Sequence, residues 1–336
     1  ADTWDLNLSR LCVMETSSAV GQFLDCGGGY DPATLGEVVR VLPDNAAFRS
    51  LMSELGVLFT PNILAPAETF GYNGFSFAVE FGFTTINAKR NSTQRIPDGA
   101  GGFIERRHRF WRAAQSIDDA AFAGGNALSA SAVERIDREL PPTIGSTVTV
   151  MARKGLWLPV PSFELGIGAR HLIHSRMWAA LVQAKIALHE GFQGLPLPAF
   201  AVRGTGSHVF GTRDFNLSNA GLDFSISKHF GVASTYNLMP YDGYQLLWIV
   251  ADSGVIDATP AVDAMAQSAA VARGDLSECR VPDCNASFTF DNPSNIMRHR
   301  FFIGMRVNLY IVSLLAEYTY FAAGRESDAV FDELSL

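Results

Sequence analysis

Residues 74–86 alternate with a period of two. Phe75, Phe77, Val79, Phe81 and Phe83 take the odd positions, and Ser76, Ala78, Glu80, Gly82 and Thr84 take the even ones. Successive side chains of a β-strand point to opposite faces, so one face of this segment is a wall of phenyl rings and the other is small or polar. In a water-soluble sandwich the large face goes inside and a charged, Lys- and Thr-rich face meets solvent. Here the second face carries only one charge. A transmembrane barrel turns such a surface to its lumen while the aromatic residues meet lipid. The pattern predicts a strand over 71–86.

The same alternation predicts strands at 143–154, 161–172, 176–190, 198–208, 214–228, 231–251, 296–307 and 310–323, with a short last candidate at 329–336. Phe163, Leu165 and Ile167 alternate with Glu164, Gly166 and Gly168. Trp178, Val182, Ile186 and Leu188 alternate with Gln183, Lys185 and His189. Leu222, Phe224 and Ile226 alternate with Asp223, Ser225 and Ser227, and Phe301, Ile303 and Met305 with Arg300, Gly304 and Arg306. Leu314, Ala316, Tyr318 and Tyr320 alternate with Ser313, Glu317 and Thr319. One such segment is weak evidence, whereas a series of them specifies an all-β chain. The expected fold is an antiparallel transmembrane β-barrel of about ten strands, within a range of eight to twelve.

Residues 1–70 lack this pattern and form a small, partly helical segment before the barrel at 71–336. Asp44 is placed to cap a helix whose apolar face is Phe48, Leu51, Met52 and Leu55. This segment is expected in the periplasm or as a plug in the barrel mouth. Two long connections, 87–142 and 252–295, interrupt the strands. The first holds a predicted helix near 131–140, stopped by Pro141 and Pro142. In the second, a helix starts at Thr259–Pro260 and stops at Gly274. If the first strand runs outward and 231–251 is one strand crossing Pro240, both long connections are extracellular and the remaining turns on the other side are short. That asymmetry is usual in outer-membrane barrels.

Composition sharpens this picture. The chain of 336 residues is 48% hydrophobic and only 18% charged, with 24 Phe and 30 Gly. Soluble domains carry about 25% charged residues. No apolar run approaches the roughly 18 residues of a spanning helix. A net charge of −8 without a basic run argues against nucleic acid as a partner. The four cysteines fall into two local pairs, Cys12 with Cys26 and Cys279 with Cys284, and read as two disulfides. A four-cysteine metal site is disfavoured, because neither pair has C-x2-C spacing and no His lies beside them. The start at Ala-Asp-Thr, without Met, is as expected after removal of a signal peptide.

Phe75–Ile86, Ala220–Ser227 and Phe301–Tyr320 resemble the outer-membrane β-barrel proteins of Gram-negative bacteria. The resemblance lies in the pattern over some 200 residues, with no subfamily motif. It implies residence in the outer membrane and contact with its lipids and lipopolysaccharide. Other envelope proteins are expected as partners, reached through the N-terminal segment or the 252–295 loop. The chain departs from the class at its end, which is Leu336 where such barrels typically finish on an aromatic residue.

The expected lumen set is Glu80, Glu164, Arg170, Lys185, Arg203, Asp223, Arg298, Arg300, Arg306 and Glu317, six bases and four acids, with His189 beside them. The expected lipid-facing set is Phe75, Phe77, Val79, Phe81, Phe83, Trp178, Phe224, Phe301 and Tyr318. Small barrels have interiors that side chains nearly fill, and charges there pair because an unpaired buried ion is costly. The leading expectation is therefore a structural or scaffolding barrel, one subunit of a larger envelope assembly, with no cofactor, no metal and no catalytic residue. The alternative is a narrow pore for small anionic solutes, drawn from Arg298, Arg300 and Arg306 on one strand. A third reading is an outer-membrane hydrolase using His208 near Asp214, although no G-x-S-x-G is present.

Overall fold

The computed structural model describes residues 4–18, 20–26, 36–86, 91–97, 101–114, 143–157, 162–190, 197–232, 236–259, 287–293, 296–309 and 311–323. The helices predicted at 131–140 and after Thr259, the Cys279–Cys284 pair and the strand at 329–336 lie outside the described residues.

Nine strands form one long sheet. In chain order they are β4 (Phe75–Thr85), β7 (Ile144–Leu156), β8 (Phe163–Leu172), β9 (Trp178–His189), β10 (Ala199–Phe210), β11 (Phe215–Ser227), β13 (Tyr236–Ser253), β16 (Ile296–Leu309) and β17 (Val312–Ala323). Each pairs antiparallel with its neighbours in this order, and the short β12 (Phe230–Val232) pairs β13 beside the path. The sheet curls into a half-barrel, and no pairing of β4 with β17 closes it among the described residues. β13 does run unbroken through Pro240, which faces Met305 in the register.

The alternation read from the sequence sets the two faces. Phe75, Phe77, Phe81 and Phe83 are 63–75% exposed on the convex side, while Glu80 between them is 5% exposed on the concave side. Trp178, Phe224, Phe301 and Tyr318 are likewise exposed. Connections 157–162, 190–198, 228–229 and 310–311 turn at one end of the sheet, here the turn end. Connections 86–143 and 254–295 leave from the other, here the loop end.

The N-terminal residues build a lobe at the loop end. It contains a three-stranded sheet of β1 (Cys12–Thr16), β2 (Phe23–Asp25) and β3 (Val38–Pro43), in the order β2-β1-β3, closed by the Cys12–Cys26 disulfide. The helix α1 (Asn45–Phe59) follows. Asp44 caps it, its carboxylate accepting from the Ala47 amide at 2.9 Å. The predicted face of Phe48, Leu51, Met52 and Leu55 is fully buried, and so are Leu58 and Phe59. A helix covered on so many sides belongs to a core.

The hairpin β5 (Asn91–Pro97) with β6 (Phe103–Arg109), the short helix α2 (Phe110–Ala114) and the pair β14 (Ile256–Asp257) with β15 (Ser287–Phe288) complete the lobe. Phe48 stacks on Phe290 at 4.4 Å, and Trp4 meets Trp111 edge-on at 5.5 Å. The core thus runs without a break from the lobe into the loop end of the sheet, where it includes Leu172, Leu217, Leu247 and Ile249.

Candidate functional site: a threaded interior

The concave face is occupied by the protein's own chain. After α1, residues 60–69 pass in extended form from the loop end to the turn end, and β4 then starts back up the outside of the path. This thread has no strand or helix of its own, so its buried amides and carbonyls need other partners. The wall supplies them.

From the last turn of α1 down into the thread, Asn219 Nδ2 donates to the Gly56 carbonyl at 2.9 Å, and Arg170 Nη1 to those of Leu58 at 3.1 Å and Thr60. Arg300 donates to the Pro61 carbonyl, Arg203 to that of Ile63 (both 2.8 Å) and Arg153 to that of Leu64 at 3.2 Å. Lys185 reaches the carbonyls of Pro66 at 3.3 Å and Glu68 at 2.8 Å. In the opposite sense, Glu317 accepts from the amides of Ile63 at 3.4 Å and Leu64 at 2.7 Å, and Ser227 Oγ from Ala67 at 3.1 Å. Pro61 and Pro66 bring no amide at all, which reduces the donors the interior must satisfy.

The apolar residues of the thread find small pockets: Ile63 packs with Tyr241 and Phe302, and Ala67 with Ala187, Ala199 and Ala201. Leu64 sits at φ 28°, in the left-handed half of backbone space that leucine rarely adopts. Wall groups hold both of its backbone polar atoms there.

The wall charges are themselves paired. Arg153 meets Glu80 at 2.8 Å, Arg203 meets Asp223 at 3.0 Å, Arg300 meets Glu317 at 3.2 Å and Lys185 meets Glu164 at 3.2 Å. All eight side chains are 4% exposed or less. The last pair is held by charge at close range; Lys185 spends its hydrogen bonds on the thread. The register explains how these groups meet. Glu164, Lys185, Arg203, Asp223, Gln245 and Arg300 face one another in turn across β8, β9, β10, β11, β13 and β16. They form one belt around the concave face, and Glu317 of β17 reaches Arg300 at its end.

Such a layer in a low-dielectric interior is stabilising only if every member has partners. Arg170, six residues beyond Glu164 on β8 toward the loop end, has its Nε on Thr149 Oγ1 at 2.8 Å and holds carbonyls of α1 and the thread. Arg298 bonds Ser53 of α1 at 2.8 Å. Arg306 bonds Asn308 at 2.9 Å and Ser313 at 3.2 Å and lies over the Phe70 ring. His189 rests on the Pro198 carbonyl at the turn end.

Arg153, Thr149, Asn219, Tyr241 and Gln245 also lie buried in the interior, beyond the set expected from the sequence. The signal for two of them was present: Thr147, Thr149 and Arg153 alternate with Val148, Val150 and Ala152, and the former are buried.

Two carboxyls outside the sheet are held above their ordinary range. At the turn end, burial raises Glu68, and the neighbouring His229 opposes that shift. At the loop end, burial raises Asp214, against the Leu8 amide and Arg213, which lower it. His208 bonds Ser218 Oγ at 2.9 Å, while Asp214 takes the Leu8 amide, so the two expected hydrolase residues have different partners. No group of three or more His, Cys, Asp or Glu side chains suited to a metal occurs among the described residues. Comparison of the chain with protein-family models, with characterised proteins and with solved structures finds no match.

Proposed function

We propose that this protein is a bacterial outer-membrane barrel with a built-in plug, whose role is structural: a rigid, non-conducting wall that presents its N-terminal lobe to other envelope components. The observation that carries this reading is the thread at 60–69, whose backbone is hydrogen-bonded by the same arginines and lysine that would otherwise line a channel. The convex belt of exposed phenyl and aliphatic side chains supports contact with acyl chains. Tyr72 and Trp157 meet at 6.1 Å at the turn end, where amphipathic rings would sit at the headgroup level.

Arg298, Arg300 and Arg306, the residues that favour an anion path, have partners in α1, the thread or their own hairpin. An open pore would require the thread to leave and water to replace its carbonyls.

Two measurements test the proposal. The purified chain should float with phospholipid vesicles and give no steady current in planar bilayers. A chain that stays in the aqueous fraction without detergent refutes the membrane placement. A steady anion-selective current from the intact chain refutes the plug and favours the pore.

A further inference from the structure

A control that answers to solvent must be reachable from solvent. The belt is not, because its charge pairs are 4% exposed or less. The turn end of the thread is different. There Glu68 Oε2 faces His229 Nδ1 at 3.8 Å, and the two side chains are 12% and 43% exposed.

Around this contact the last residues of the thread are held by polar groups. The amide and hydroxyl of Thr69 both donate to Glu190 Oε1, just past β9. Thr69 Oγ1 also accepts from the Gly71 amide at 3.3 Å, and Gly71, at φ 67°, turns the chain toward β4. The Glu68 carbonyl takes Lys185 Nζ at 2.8 Å, and Phe70 lies under the Arg306 guanidinium at 5.2 Å. Apolar anchorage is slight, since Ala67 offers a single methyl to three wall alanines.

The charged groups that face Glu68 come from three elements. They are His229 from the connection of β11 to β12, Glu190 and Lys185 from β9 and its end, and Arg306 from β16. Two carboxylates thus converge on neighbouring residues of the thread. Burial disfavours the Glu68 charge and Glu190 adds to this, against His229 and Arg306, so the carboxyl titrates above its ordinary 4.5.

We propose that residues 68–71 are a proton-operated latch on the turn end of the thread. With Glu68 neutral they are clamped against the ends of β9 and β11. With Glu68 ionised beside Glu190 they come free, while wall groups keep Pro61 to Pro66 in place. A cavity of about 850 Å³, lined by Phe70 and Arg306 with 75–84 and Ser313 to Glu317, gives the freed segment room. The latch adds a control to the structural role and concerns the thread alone, so it stands with or without lipid on the convex face.

The direction follows from the charge. A carboxyl whose proton is held more tightly in the clamped state contributes stability that is complete below 4.5. That stability is lost as pH rises through the raised value.

Hydrogen–deuterium exchange on the full chain in dodecyl maltoside micelles tests this, each rate being divided by that of a free amide at the same pH. From about pH 4 to about pH 8 the Thr69 and Gly71 amides should lose protection as the latch opens locally. Leu64, whose amide is held by Glu317 at 2.7 Å, should keep its protection. Glu68→Gln, neutral at every pH, should retain the acid level of protection at Thr69 and Gly71 throughout. His229→Ala removes the opposing cation at an exposed position that the fold tolerates, so those amides should be looser than the parent's at neutral pH. Flat protection of Thr69 and Gly71 in the parent overturns the latch. So does a Glu68→Gln chain with the parent's pH dependence, or a His229→Ala chain no looser than the parent. A Leu64 amide that loosens in step also overturns it, because the thread then opens as a whole. Vesicle flotation of the same samples judges the bilayer separately: a chain that stays in water keeps the latch if Thr69 and Gly71 respond as stated.

Discussion

Asp223→Asn should cost this protein a large part of its stability. Both members of the Arg203–Asp223 pair are fully buried. Arg203 Nε lies 3.0 and 3.3 Å from the two carboxylate oxygens, Nη2 lies 3.2 Å from one of them, and Nη1 holds the Ile63 carbonyl at 2.8 Å. Asparagine keeps the shape and one acceptor but leaves the guanidinium charge uncompensated, and breaking a buried pair this way costs about 3–5 kcal/mol. Replacing both partners, as Arg203→Met with Asp223→Leu, removes the charge altogether. The double variant should lose only the hydrogen bond to the Ile63 carbonyl, about 1–3 kcal/mol.

Guanidinium unfolding in micelles, followed by tryptophan fluorescence, gives these differences provided the slope is shared by all variants. The double variant should then be more stable than Asp223→Asn alone. An Asp223→Asn chain within about 1 kcal/mol of the parent, or a double variant as costly as the sum of its singles, would refute the idea that the pair and the thread share one dry interior.

Three further outcomes follow from other sites. Gly56 lies so close to β13 that a Cβ there would stand 2.6 Å from the Ile249 side chain; Gly56→Val should cost at least about 1–3 kcal/mol by overpacking, read by the same unfolding assay. Burial holds the Asp214 carboxyl above its ordinary value of 3.8, so the folded state binds its proton more tightly. This contributes stability that is complete below that value and lost as pH rises through the folded one. Parent and Asp214→Asn unfolding curves compared between pH 3 and 7 should diverge accordingly, with the asparagine chain gaining relative to the parent as pH rises. Cys12 and Cys26 close a loop with a sequence separation of 14; Cys12→Ser with Cys26→Ser should cost about 3 kcal/mol in the lobe, seen as faster amide exchange over 11–43 with β8 to β11 unaffected.

The wall of this fold was largely legible in the sequence, and its filling was not. Period-two alternation is local, so Phe75 to Phe83 and Phe301 to Met305 declare their faces without knowledge of their neighbours. Even the Arg203–Asp223 pairing can be reached from a tight 210–215 turn, because hairpin register follows from the turn. The thread gives no such signal. What Arg170, Arg203 and Arg300 bind there is main-chain carbonyl, a group every residue carries, so side-chain identity in 60–69 cannot announce it. Pro61 and Pro66 are the one compositional trace, since they ban regular structure and remove donors. That β4 and β17 do not pair among the described residues was hidden for another reason: a strand count read from local patterns is silent on whether the first and last strands meet.

The continuity of the thread with β4 bears on how the molecule is made. Because the filling and the first strand of the wall are one covalent stretch, the filling is tethered at the spot it must occupy, and its local concentration does not depend on dilution. The part of the lobe made of β1 to β3 and α1 also precedes every strand of the long sheet in the chain. It can therefore act as a mould around which later hairpins are laid, each new arginine finding its carbonyl already in place. A wall assembled first and stuffed afterwards would have to strip water from its charges twice.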